Sequence, residues 1–80
     1  MNITLTHLEE GKIAMIKEMN LDNHIKKRLM ALGLLPNSYL KVLRIALLGG
    51  AILIDVGGCP LAISHDLAEK IIVEEWNERG

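Results

Sequence analysis

The 80-residue sequence has no phenylalanine, one tryptophan and one tyrosine. Its core must therefore be built from aliphatic side chains and methionine, and few rings are left on which bases or sugars could stack. The single cysteine, Cys59, excludes an internal disulfide bond and is typical of a reducing compartment. No segment has the basic start, apolar centre and small-residue cleavage site of a signal peptide. We therefore expect a cytoplasmic protein.

The sequence also lacks an excess of charge of either sign and a long apolar run. Nine basic and ten acidic residues give a net charge of −1, which argues against binding dominated by phosphate neutralisation. The longest apolar run, 45–54, is interrupted by Gly49-Gly50 and is well short of the about 20 residues that span a bilayer. It predicts two strands and their turn. A chain of this length has room for one hydrophobic core.

Apolar residues at helical spacing predict one amphipathic helix, with its stripe at Leu21, Ile25, Leu29 and Leu32. Asn20 or Asp22 supplies the side-chain oxygen that caps its start. Lys26, Lys27 and Arg28 favour the negative end of its dipole. We expect Leu29 to be buried where the helix meets the sheet.

The segment after this helix predicts a sharp reversal of the chain. Gly33 allows a left-handed backbone that ends the helix, and Leu34 can then fold back on its last turn. Pro36 and Asn37 suit the two central positions of a type II turn, the second of which needs a positive φ. The reversal leads directly into a strand.

Alternating and β-branched residues between glycine turns predict five strands, at 12–19, 39–46, 51–56, 59–63 and 71–75. Gly57-Gly58 supplies positive φ angles for a hairpin turn, and Pro60 requires a strand start or sheet edge. Ser64 can cap a short helical turn that runs to Lys70. Thr6-x-x-Glu9 predicts a capping box and another helical turn before Gly11. The pattern is mainly β with one inserted helix, which suits a small, partly closed antiparallel barrel.

The residues that could carry chemistry do not form a recognisable set. Cys59 has only His65 nearby as an activating base, and the histidines (His7, His24 and His65) have no closely spaced metal-ligand partner. We therefore expect no enzyme, no metal site and no cofactor. A metal-sensing barrel that uses Cys59 and His65 stays an alternative. A less favoured one is a nucleic-acid-binding barrel with a basic patch at Lys26, Lys27, Arg28, Lys41 and Arg44.

Leu47-Leu48 precedes Gly49-Gly50 at a predicted hairpin tip, where polar residues would be sufficient. Two adjacent leucines there need a cover, either the body of the domain or a partner surface. Met30 and Leu35 could extend such a patch from the helix exit.

An ordered series of motifs completes the sequence evidence: Gly11-x-x-Ala14-x-Ile16, Arg28-Leu29-x-x-Leu32-Gly33-Leu34-x-Pro36, Leu48-Gly49-Gly50, Ala62-Ile63, then Ala68 and Ile71-x-Val73. It resembles the FeoA family, small cytoplasmic accessory proteins of bacterial ferrous iron uptake. The resemblance runs from about Leu5 to Val73. The family pattern has glycine where this chain has Asn37, and often proline where it has Ala51, a change that would loosen the tip.

The resemblance implies a single SH3-like antiparallel β-barrel over residues 1–75, with one inserted α-helix and short helical turns, and a polar tail at 76–80. It implies a non-catalytic interaction module that works with FeoB, the membrane ferrous iron transporter with a cytosolic GTPase domain, and reaches the membrane only through that partner. A related barrel is a regulatory domain of iron-dependent repressors. We expect the partner-binding residues to be Leu47, Leu48, Gly49, Gly50, Met30 and Leu35.

Overall fold

One antiparallel sheet forms most of the computed structural model, which describes residues 1–76. The strands are β1 (Asn2–Thr4), β2 (Ile13–Met19), β3 (Tyr39–Ile45), β4 (Ile52–Val56), β5 (Cys59–Ile63) and β6 (Ile71–Glu75). The helices are α1 (Asn23–Ala31) and α2 (His65–Ala68), and a 3₁₀ turn covers Leu5–His7. The strand order is β1-β6-β2-β3-β4-β5, so β1 and β5 are the edges. The predicted mainly β architecture with one inserted helix is confirmed.

Bulges in two strands decide which side chains enter the core. In β3 the pairing with β4 shifts between Val42 and Arg44, which leaves Leu43 as an extra residue. Strict alternation after Leu40 and Val42 would turn Arg44 inward, but the bulge reverses the phase and leaves Arg44 exposed. The same device in β2 lies between Ile16 and Glu18. Each bulge keeps a charged side chain out of an aliphatic interior.

The core is built without aromatic rings, as the composition requires. Within residues 1–76 no polar or charged residue is buried, and the buried set is Leu5, Leu8, Ala14, Ile16, Met19, Leu29, Leu34, Leu40, Val42, Ile52, Ile54, Val56, Ile63, Ala68, Ile71 and Val73. Every strand except β1 contributes at least one of them. Aliphatic side chains form no hydrogen bonds, so the stability of this interior depends on how closely they pack.

Helix α1 begins and ends by the predicted devices. Asp22 caps it, since its Oδ1 accepts a hydrogen bond from the Ile25 N–H at 2.9 Å. At the other end the Leu34 N–H donates to the Leu29 carbonyl and the Gly33 N–H to the Met30 carbonyl, both at 3.0 Å. This pair of bonds is the Schellman motif. It needs the positive φ of Gly33, which is 104°, and it buries Leu34 completely.

The turn that follows is also as predicted. Asn37, after Pro36, has a φ of 71°, and the Ser38 N–H donates to the Leu35 carbonyl at 3.1 Å, as in a type II turn. The Asn37 N–H donates to the Ile16 carbonyl at 2.7 Å, which ties the turn to β2. Asn37 thus adopts the positive φ for which the family pattern has glycine at this position.

Pro60 lies on edge strand β5, as predicted. It pairs with Asp55, one step from the Val56–Cys59 pair that closes the Gly57-Gly58 hairpin. Successive residues of an antiparallel strand direct their backbone groups to opposite sides, so Pro60 turns its nitrogen away from β4. The outer edge of β5 therefore lacks an N–H donor at Pro60, which disfavours pairing with a strand of another chain.

Four details differ from the sequence prediction. The Thr6 capping box is wrong, because Thr6 lies inside the 3₁₀ turn and the capping position is Thr4, whose side chain makes no capping bond. Strand β1 was not predicted, and α2 ends at Ala68, before the predicted Lys70. Trp76 was assigned to the tail, but its N–H donates to the Ile13 carbonyl at 2.8 Å. The rest of the predicted tail, 77–80, lies outside the described residues.

Leu29 provides a test of how α1 is held on the sheet. It is 8% exposed, whereas Leu32, one turn later, is 57% exposed. Leu29→Ala should lower the free energy of unfolding by about 2–5 kcal/mol, the usual cost of removing a buried leucine. Leu32→Ala is the matched control and should stay within about 0.5 kcal/mol of wild type. Urea unfolding measures both, and equal losses would show that α1 does not dock through Leu29.

Gly33 provides a test of the reversal. A Cβ there would lie 3.3 Å from the Val56 Cγ1, in addition to the strain of the positive φ. Gly11 also has a positive φ, of 86°, but a Cβ there would meet nothing within 4 Å. Gly33→Ala should lower the free energy of unfolding by about 1–3 kcal/mol, measured by thermal unfolding. The loss should be larger than for Gly11→Ala, where the positive φ is the one source of destabilisation. An equal cost would mean that contact with Val56 contributes nothing.

Candidate partner-binding surface

The hairpin between β3 and β4 ends in a tight four-residue turn. The Ala46 N–H donates to the Ala51 carbonyl at 3.0 Å, and the Gly50 N–H donates to the Leu47 carbonyl at 3.2 Å. The two central residues, Leu48 and Gly49, both have positive φ, 58° and 72°, as in a type I′ turn. The hairpin is closed although Ala51 stands where the family often has proline.

Both leucines of this tip point into solvent. Leu47 is 88% exposed and Leu48 is as exposed as in an extended chain, at 104%. Of the two covers considered from the sequence, the body of the domain is therefore excluded within residues 1–76. Leaving these side chains in water gains no burial energy, so they contribute nothing to the folding of this chain.

Leu48 is also strained. A left-handed backbone costs an ordinary L-residue roughly 1–2 kcal/mol, and the first central position of a type I′ turn normally has Asn, Asp or Gly. Gly50 has a separate constraint, because a Cβ there would lie 2.7 Å from the Ala46 Cβ. The glycines thus fix the backbone of the tip, and this backbone holds Leu48 in a left-handed conformation that leucine disfavours. Because no contact offsets this strain, the tip is the candidate partner-binding site.

The helix exit does not adjoin the tip. Met30 is partly buried against the core, and Leu35 is 42% exposed beside the turn that begins β3. The tip follows the end of β3, so the strand separates the two groups. Its seven residues span about 20 Å at roughly 3.3 Å per residue. The six predicted partner-binding residues therefore form two surfaces.

The alternative sites are not assembled. Cys59 begins β5 and His65 follows its end, so the length of the strand separates them. Within residues 1–76 no three His, Cys, Asp or Glu side chains are grouped to hold a metal ion. His7 bonds the Thr4 hydroxyl through Nδ1 at 2.9 Å, and the His65 Nε2 lies 3.7 Å from Glu69. His24 is exposed on α1.

The predicted basic patch is divided between two elements. Lys26, Lys27 and Arg28 lie on α1, whereas Lys41 and Arg44 are exposed on β3. Lys41 pairs across the sheet with Asp55, whose negative charge weakens any phosphate contact there.

Two surface features were not predicted. An apolar groove lies between α1 and α2, and a second cleft is lined by Ile13, Tyr39 and Trp76. The second cleft joins the one tyrosine and the one tryptophan, both about half exposed. The sequence signal for the groove was Leu32, the fourth apolar residue of the helical stripe, because a short helix cannot bury all four against the sheet.

Comparison with known structures identifies the class of the fold. The chain superposes on the crystal structure of an iron uptake regulatory protein (FeoA) with a TM-score of 0.83 and 26% identity, covering 95% of this chain and 99% of that one. It superposes on the solution structure of FeoA from Chlorobium tepidum with a TM-score of 0.88 and 33% identity, covering 94% and 71%. A manganese-dependent transcriptional repressor matches at 0.83 and 17% identity, over 94% of this chain and 42% of that one, which shows the fold alone.

These matches define an SH3-like β domain, as the sequence resemblance implied. The FeoA domain profile matches residues 3–75, and the chain belongs to the FeoA family. Membership implies a role in ferrous iron transport, and the family is one of non-catalytic accessory proteins. No protein of curated function matches the chain in sequence. Both helices of the described part of the chain are too short to cross a membrane.

The strain at Leu48 can be tested without a partner. Leu48→Asn should stabilise the domain by about 0.5–1 kcal/mol, because Asn tolerates a left-handed backbone better than Leu. For a domain of this size the melting temperature would rise by about 2–8 °C. Leu47→Asn is the control, since Leu47 has no positive φ and is equally free of core contacts. A fall in melting temperature for Leu48→Asn, or the same rise for both variants, would contradict the assignment of strain.

Proposed function

We propose that this chain docks on the cytosolic part of an FeoB-type ferrous iron transporter and supports or regulates its uptake of iron. The observation that carries the proposal is the tip, where two adjacent leucines are exposed and one of them is strained. Neither property helps the isolated domain. Both are explained if the tip inserts into a complementary pocket of a partner.

The chemistry of the tip fits recognition by burial. Transfer of a leucine side chain from water to an apolar pocket contributes about 1.5–3 kcal/mol, so two leucines can anchor a small interface. The closed turn presents them on a fixed backbone, which lowers the entropy lost on binding. No hydrogen-bonding side chain stands between them. We therefore infer an apolar pocket on the transporter.

In this proposal the transporter, and not this chain, carries out the transport of iron. Within residues 1–76 no metal ligands are clustered, and His7 and His65 contact Thr4 and Glu69. An accessory module of this kind acts by changing the transporter's GTP hydrolysis, gating or assembly. It belongs on the cytoplasmic side, where the GTPase domain lies, and is peripheral to the membrane through its partner.

The docking face can be tested by NMR. Titration of the isotope-labelled chain with the cytosolic GTPase domain of the transporter from the same organism should shift the amide signals of residues 47–50. The double variant Leu47→Ser, Leu48→Ser should bind at least about tenfold more weakly, because truncated anchor residues commonly cost more than 1–2 kcal/mol each. Its fold should be intact, since neither side chain contacts the core.

Exposed leucines elsewhere supply the controls. Leu43→Ser removes an exposed leucine from the β3 bulge and should leave affinity unchanged. Leu35→Ser tests the helix exit separately from the tip. Undiminished binding by the double variant would reject the tip as the contact. If the GTPase domain shifts no signals, the whole transporter in a lipid nanodisc is the next ligand, and failure there would reject the partner.

A further inference from the structure

The groove between α1 and α2 is a second unpartnered surface. Its volume is about 230 Å³, and its lining residues are Ile25, Arg28, Leu29, Leu32 and Leu67. Leu32 forms one rim and is 57% exposed, although it lies next to the buried Leu29 on the same face. Arg28 is the one charged residue of the lining. The groove therefore combines a wall of aliphatic side chains with one residue, Arg28, that can carry a positive charge to a bound ligand.

Helix α1 differs in charge from the rest of the chain. Helix α1 carries three cationic side chains and no acidic one, whereas the remaining sequence has six basic and ten acidic residues. Four ion pairs occur within residues 1–76, and none involves Lys26, Lys27 or Arg28. The favourable effect of cations at the end of a helix accounts for the position of Arg28 in the last turn. It leaves the apolar wall beside Arg28 unexplained.

The shape of the groove selects the kind of ligand. A concave apolar slot accepts a side chain that projects into it, as in the recognition of amphipathic segments by grooves. The surface of a bilayer is flat on this scale and cannot fill a slot. An arginine beside the slot binds a carboxylate through two parallel hydrogen bonds. The ligand that satisfies both features is a peptide segment with an aliphatic residue and a neighbouring acidic one.

We propose that the α1–α2 groove binds an acidic segment of a partner protein, with a leucine, isoleucine or methionine side chain between the helices and a carboxylate on Arg28. Lys26 and Lys27 do not line the groove, and Lys27 lies on the opposite face of α1, so the carboxylate contact depends on Arg28. The inference does not rest on the tip or on the transporter as partner, because the groove is formed by different elements. It gives the domain a concave site in addition to the convex tip.

Three short synthetic peptides test the groove on the full chain. The first carries leucines four residues apart among Asp and Glu, the second has lysine at each acidic position, and the third has serine at each leucine. Titration of the isotope-labelled chain with the first should shift the amide signals of 25–32 and 65–68 saturably. The second and third should bind at least about tenfold more weakly.

Variants at the rim keep the test independent of folding. Leu32→Ser and Arg28→Gln alter exposed side chains, so the melting temperature should change little, and for Arg28→Gln only by the loss of the favourable helix-end charge, while affinity for the first peptide falls at least about fivefold. Leu48→Ser is the matched control on the tip and should bind the peptide like wild type. The proposal fails if no saturable shifts occur, if the lysine peptide binds equally well, or if the shifts map to the cleft of Tyr39 and Trp76. It also fails if anionic phosphatidylglycerol vesicles, and no peptide, bind α1.

Discussion

The reversal at Gly33 is the constraint on which the rest of the structure depends. Its left-handed backbone allows the two hydrogen bonds that close α1, and these place Leu34 in the core within two residues of the end of the helix. The type II turn at Asn37 follows at once and is bonded to β2. One positive φ therefore fixes both the docking of α1 and the start of β3. Leu29 is the one fully buried residue of α1, and Ile25 and Met30 pack partly against the core, so the reversal and the packing face together hold the helix.

A hairpin tip of the same chain uses the left-handed backbone for the opposite purpose. At Gly33 a residue without a side chain relieves strain, whereas Leu48 accepts strain and gains no contact. Folding selects against such a residue, since Asn or Gly would be better by roughly 1 kcal/mol. A domain stabilised by about 5–15 kcal/mol can tolerate that loss. The contrast between the two positions separates a residue that folding requires from one that folding does not explain.

Much of this architecture follows from local rules that operate in the sequence. The helical stripe, the Gly33 stop, the Asn37 turn and the glycine hairpins each depend on a few neighbouring residues, so their positions could be predicted. Strand β1 could not, because three residues carry no periodicity and it forms only against β6. The bulge at Leu43 is equally hidden, since the register with β4 decides it. The turn at Leu47 and Leu48 was predicted, but the sequence left open whether the body of the domain covers them. The α1–α2 groove depends on Leu67, which is distant in sequence from α1.

The separation of the tip from the helix exit limits how a partner can bind. The length of β3, about 20 Å, lies between the tip at one of its ends and Leu35 before the other. A partner that touches both must span that length, or each surface must have its own ligand. The α1–α2 groove favours the second arrangement, since it offers a concave apolar site with Arg28 in its lining. Two small sites joined on one rigid domain can produce higher avidity than either alone. With both proposed ligands bound, the domain would bring two segments of a larger assembly together.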